Sequence, residues 1–144
     1  MKKEWKLFIY ENKARKIRGK NYSKLNFQII SFLFLFNLIS DSEIHLIIEG
    51  NGAQNLINGG IDFEPSAVLV NGALKVSCNK TCELEGNKNN ITLRFSSEIN
   101  KFTNLFKGLQ NIIEVDLSDF NATKVIFMEH MFNGCSNLEK INNN

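Results

Sequence analysis

The chain has 144 residues, 43% hydrophobic and 22% charged, with one Pro and nine Gly, which argues against collagenous, Pro-rich and wholly disordered classes and fits one small domain. The formal charge of +2 conceals a polarity. Residues 1–24 hold nine Lys/Arg against Glu4 and Glu11, a net of +7, and the rest of the chain holds eight basic and thirteen acidic residues, a net of −5. With the basic N-terminus set aside, the charge argues against nucleic acid as a partner.

In chain order, the basic segment leads into an apolar run of 13 residues, 27–39. A membrane-crossing helix needs about 20 residues, whereas a secretory hydrophobic region takes about 7–15. Ser40 and Ser42 follow, small residues two apart. The reading is a signal peptide over 1–42, cleaved after Ser42; a retained signal-anchor and a buried core helix are the rivals. Residues from 43 onward are then expected to fold in an oxidising, glycosylating compartment, as an extracellular or cell-surface product. Contact with a membrane is expected only through the signal segment.

Residues 43–98 read as a β-rich N-terminal cap region. Residues 43–48 alternate as a strand. Residues 50–55 begin like a phosphate-cradling glycine loop but lack the third Gly and the following amphipathic helix. Residues 67–70, the Asn71-Gly72 pair and residues 73–76 give a strong hairpin signal, since Asn-Gly suits the tight primed turn. Residues 91–95 alternate as a further strand, with Asn89-Asn90 read as a turn leading into it. Asn79, Asn90 and Asn121 each open an Asn-x-Thr sequon and are the candidate glycosylation sites. Cys78 and Cys82 are the candidate disulfide. Unpaired thiols are one alternative to that bridge. A zinc site adding His130 and Cys135 is the other, though the H-x4-C half lacks a usual zinc spacing.

Residues 99–144 read as about 1.7 copies of a repeat. At an offset of 26, Ile99, Phe102, Leu105, Phe106, Leu109, Ile112 and Val115 meet Val125, Met128, Met131, Phe132, Cys135, Leu138 and Ile141, while Gly108 and Asn111 meet Gly134 and Asn137. Every paired position is apolar or identical. The spacing i, i+3, i+6, i+7 from Ile99 to Phe106 predicts one face of a short helix, followed by a Gly stop and a strand. Cys135 takes the slot of Leu109 and so reads as a small buried apolar residue. Asn111 and Asn137 precede the strands, where an amide bonds either a neighbouring coil's backbone or solvent.

These residues carry a resemblance. Ile112-Ile-Glu-Val-Asp-Leu-Ser-Asp-Phe120, then Ala122-Thr-Lys-Val125, then Met128-Glu-His-Met-Phe-Asn-Gly-Cys-Ser-Asn-Leu-Glu-Lys-Ile141, is similar to the repeat of BspA-type leucine-rich-repeat surface proteins. The shared core is Met-Phe-x-x-Cys-x-x-Leu, and the likeness spans about 45 residues, with departures at Val115 and Asn121. It implies an extracellular adhesion or recognition role without a catalytic centre, and it carries over no binding residues.

The expected fold class is therefore α+β and β-rich: an N-terminal β cap, then the start of a leucine-rich-repeat-like solenoid with short helices, truncated at the C-terminus. Its open last coil would leave Val125, Met128, Met131, Phe132 and Leu138 without a neighbour on one side, which invites self-association. The expected function is a secreted or cell-surface recognition module with a protein or glycan ligand. The alternative is a truncated or partial repeat paralogue with only a structural role. No enzyme activity, cofactor or metal is assigned. Ser97 or Ser118 beside His45 or His130 lacks a nucleophile elbow and a third member. The exposed strand positions Glu114, Asp116 and Ser118 give an acidic surface suited to basic partners or to plain solvation.

Overall fold

Alternation of apolar and polar side chains builds the central strand. The computed structural model describes residues 42–143, so the expected signal peptide, apart from Ser42, lies outside the described residues. The strands are β1 (Ser42–Glu49), β2 (Gly52–Asn55), β3 (Ala67–Val70), β4 (Ala73–Leu74), β5 (Thr81–Leu84), β6 (Lys88–Phe95), β7 (Ile112–Asp116) and β8 (Lys140–Asn142). Ile44, Leu46 and Ile48 of β1 point inward and are buried, while Glu43, His45 and Ile47 face outward and are half-covered. The sheet order is β4-β3-β6-β1-β7-β8, and β2 and β5 form a separate antiparallel ribbon.

β1 pairs antiparallel with β6 from Ser42↔Phe95 to Glu49↔Lys88. On its other side it pairs antiparallel with β7, with a register shift between Ile47 and Ile48. β7 and β8 are parallel, Glu114↔Lys140 through Asp116↔Asn142. The core under the sheet joins Ile91, Leu93 and Phe95 of β6 to Phe102, Leu105, Phe106, Ile112 and Val115. Each such side chain contributes roughly 1.5–3 kcal/mol by leaving water.

The β3–β4 turn has Asn71 at φ 50° and Gly72 at φ 82°. Both central residues are left-handed, as the primed turn that matches strand twist requires. Its second strand is shorter than the alternation suggested, ending at Leu74 and leaving Val76 92% exposed. Asn89 and Asn90 lie within β6 rather than in a turn before it. Asn89 falls on the inward parity of β6, two residues before Ile91, and is 1% exposed. Its amide nitrogen donates to the carbonyls of Gly50 and Gly86, and its Oδ1 accepts from Asn71 Nδ2, each at 3.3 Å.

The expected α+β class is corrected by this structure. Among the described residues there is no α-helix; the one helical turn is a 3₁₀ turn, Ala122–Lys124. No helix there is long and apolar enough to cross a membrane. The expected short helices over residues 99–106 and 125–132 are chains of tight turns. Leu105, Lys107 and Leu109 N–H donate to the carbonyls of Phe102, Asn104 and Phe106, each three residues back. The intervening amides do not follow the helical ladder. Phe102, Asn104, Phe106 and Gly108 N–H donate sideways to Phe127, Glu129, Met131 and Asn133 carbonyls at 2.7, 3.0, 2.9 and 2.8 Å. Left-handed residues at Asn104 (φ 61°) and His130 (φ 58°), and at Gly108 and Gly134 (φ 78° and 79°), make a continuous helix impossible.

The solenoid with a cap is corrected as well. β1 continues edge to edge into β7 within one sheet, and four of its six strands precede the repeat. The separation of 26 is visible as parallel pairing, in β7–β8 within that sheet and in the isolated Lys101↔Phe127 bridge outside it.

Candidate interaction surface

β8 is the outermost strand and pairs only with β7. Ile141 of β8 is 46% exposed, and Ile126, Phe127 and Met128, which line up with residues 100–102, are 71, 47 and 60% exposed. The five residues expected to lack a neighbour divide differently. Met131 is 5% exposed, and Val125, Phe132 and Leu138 pack partly against the core. Phe132 stacks on Phe106 with centroids 5.7 Å apart and planes 15° apart. Only Met128 of the five stays open, and Ile126, Phe127 and Ile141 join it.

The backbone of this end has a direction. Residues 102, 104, 106 and 108 donate to the second turn segment, and the residues 26 further on are Met128, His130, Phe132 and Gly134. Their N–H groups have no acceptor among the described residues. The carbonyls of Met128, His130 and Phe132 are taken by Met131, Asn133 and Cys135 N–H. The outer edge of residues 128–134 thus presents backbone donors and exposed apolar side chains.

Charged groups tie the second segment to the first. Lys140 Nζ lies 2.9 Å from Glu114 Oε1, which also accepts from Asn142 Nδ2 at 3.0 Å. The bond from Lys140 holds the Glu114 carboxyl below its ordinary range. Asp116 is lowered chiefly by the Ser118 hydroxyl, with the Ser118 amide adding to it. Glu129 is lowered first by its own amide and then by Thr103, whose hydroxyl donates to it at 2.8 Å. Glu114, Asp116 and Ser118, read as an open acidic surface, are half-buried, and both carboxylates are already paired.

The outward sheet face carries one cross-strand row, Leu69, Thr92, His45, Asp116 and Asn142. His45 Nδ1 lies 3.1 Å from Thr92 Oγ1, and Nε2 lies 3.3 Å from Asp119 Oδ2 and 3.7 Å from Glu43 Oε2. Glu43 also bonds Arg94 at 2.8 Å. Such partly exposed pairs contribute little to stability.

Cys78 and Cys82 are joined by a disulfide with Cα atoms 4.7 Å apart, closing the loop that enters β5. Cys135 stays free; its thiol donates to the Phe106 carbonyl at 2.9 Å, and burial pushes its pKa up. Among the described residues no three or more His, Cys, Asp and Glu side chains are placed to hold a metal, so His130 and Cys135 do not join the other cysteines in a zinc site. Asn79, Asn90 and Asn121 are exposed. Asn121 caps the 3₁₀ turn through Oδ1, which accepts from Thr123 N and Oγ1 at 3.2 and 2.7 Å. Asn111 bonds a neighbouring backbone, donating to the Asn55 carbonyl at 3.0 Å, whereas Asn137 is exposed.

One residue absent from the sequence reading seals the opposite side of the first turn segment. Asn58 N–H donates to the Leu105 carbonyl at 2.8 Å, and Asn58 Nδ2 donates to the Lys107 carbonyl at 2.9 Å. Nothing in local composition marks Asn58 as a cap, because its partners lie almost 50 residues away. Comparison with known protein families, curated proteins and solved structures finds no match.

Proposed function

We propose that this chain is a secreted or cell-surface recognition module that binds protein through the edge formed by residues 126–142, with no chemistry of its own. The observation that carries this reading is that residues 126–142 hold four exposed apolar side chains, a strand with one open edge and an outward row of amide donors. An exposed strand edge is a template for another chain, and exposed apolar side chains beside it supply the affinity. The resemblance of residues 112–141 to BspA-type repeats supports an adhesive role.

The test compares the full chain with a Phe127→Asp/Met128→Asp variant. Both side chains are exposed, so the melting temperature should be unchanged. Fluorescently labelled protein is applied to intact eukaryotic cells and to immobilised extracellular-matrix proteins. Saturable binding that the variant loses at least tenfold is the expected result. Equal binding by both proteins, or none on any surface, would overturn the proposal.

A further inference from the structure

We infer that closure of the Cys78–Cys82 bridge and N-glycosylation of Asn79 compete, so that the order of the two reactions decides whether a molecule carries a glycan there. This rests on the secreted address proposed above and adds to it a modification controlled by the redox state of the compartment.

The sequon Asn79-Lys80-Thr81 fills the whole span between the two cysteines. Glycan transfer joins Asn79 Nδ2 to the first sugar carbon of a lipid-diphosphate-linked oligosaccharide. The bond from that carbon to the diphosphate breaks, the lipid diphosphate leaves, and the Nδ2 proton passes to a base of the transferase. The sequon is defined by its first and third residues, so the transferase reads the Asn amide and the Thr hydroxyl together and needs the segment free of other structure. Bridge closure removes two protons and two electrons from the thiols and passes them to the disulfide of an exchange partner, which is reduced.

The closed loop holds every residue of the sequon. Asn79 N–H donates to the Thr81 carbonyl at 3.2 Å, and Asn79 Oδ1 accepts from Lys80 N–H at 2.7 Å. The Lys80 carbonyl accepts from Leu56 N–H at 2.8 Å, and Lys80 Nζ donates to the Ile61 carbonyl. Thr81 opens β5 opposite Asn55, and Cys82 behind it is buried. With both ends bridged, the segment cannot peel away to enter an active site. Its partners all lie upstream or at the next residue, so closure waits for nothing made later. Only three residues separate the thiols, and so short a loop costs little entropy to close.

The other two sequons lack this clamp. Neither Asn90 nor Asn121 lies between cysteines, and the side-chain bonds of Asn121 stay within its own sequon, to Thr123. A chain glycosylated first still closes its bridge, because Asn79 is exposed in the closed loop. A chain that closes first stays bare at Asn79. The product therefore carries the bridge throughout and the Asn79 glycan in only part of its molecules.

The test translates the full chain into microsomes, as wild type with and without dithiothreitol and as a Cys78→Ser/Cys82→Ser variant. Occupancy of each sequon is read by mass spectrometry after glycosidase release in heavy-oxygen water. Asn79 occupancy should rise about twofold or more whenever the thiols are held open, by reductant or by substitution. Occupancy of Asn90 and Asn121 should not change. Equal Asn79 occupancy in all three samples would overturn the inference while glycans on Asn90 and Asn121 left the secreted address standing. A rise of the same size at Asn90 would also overturn it, by tracing the effect to delayed folding rather than to the bridge. No glycan on any of the three sequons would remove the address and the inference together.

Discussion

Asn89→Ala should destabilise the protein markedly, while Asn90→Ala, one residue away, should not. Asn89 is the buried polar side chain of β6, and removing it deletes three hydrogen bonds, to Gly50, Gly86 and Asn71. At a net of about 0.5–1.5 kcal/mol each, with the longer 3.3 Å geometry favouring the lower half, the loss is about 1.5–3 kcal/mol. That is a large share of the roughly 5–15 kcal/mol expected for a domain of this size. The bonds also tie three turns together, so the loss should appear as a lower urea midpoint with an unchanged slope. Asn90 is exposed, and only its backbone serves the sheet, so its substitution should stay within about 0.5 kcal/mol. Equal effects at the two positions would refute the assignment of Asn89 as the buried link between turns.

Acidification should weaken the Thr103–Glu129 link between the turn segments, the Lys140–Glu114 link between β8 and β7 and the local Ser118–Asp116 bond. Glu114, Asp116 and Glu129 titrate lower in the folded chain than in the unfolded one. Their contribution is therefore complete above the unfolded values and is lost as pH falls through the folded ones, so stability should hold from pH 7 to 5 and drop below about pH 4. Glu114→Gln should flatten part of that drop in thermal melts across the range. Native alkylation should leave Cys135 largely unmodified, because burial raises its pKa, and mass spectrometry without reductant should find one Cys78–Cys82 bridge; rapid labelling of all three would contradict this. A secretory eukaryotic host should release a product that begins near Glu43 with glycans on Asn79, Asn90 and Asn121, read by N-terminal sequencing and a glycosidase mobility shift. An intact, unglycosylated Met1 product would refute that address.

Much of the sheet was legible from side-chain alternation. β1 and β6 carry most of their apolar residues on one parity, and Asn71-Gly72 names its own turn and with it β3. The inward position of Asn89 was also within reach, by counting back in twos from Ile91. The turn chains were misread because apolar residues three and four apart suit consecutive tight turns as well as a helical face. What separates the two is the left-handed backbone at Asn104 and His130, and neither residue type declares it. β2 and β5 escaped because Gly-Ala-Gln-Asn and Thr-Cys-Glu-Leu are too short and too polar for alternation to register. The donor row at residues 128–134 is a backbone property, visible only once the partner carbonyls of the first segment are in place.

The position of β1 in the middle of the sheet has a consequence for biosynthesis. It is the first strand of the described chain to be made, yet its partners come late: β6 begins about forty residues downstream and β7 more than sixty. At about 5–20 residues per second, the ribosome leaves β1 unpaired for roughly 2–8 s before β6 emerges, and longer before β7 does. During that interval Ile-His-Leu-Ile-Ile over residues 44–48 is a short, apolar, β-prone run of the kind that pairs with other nascent chains. Glu43 and Glu49 bracket the run. Charges placed at both ends of an unavoidable hydrophobic strand restrain aggregation, so these two glutamates protect the chain before there is a fold for them to belong to.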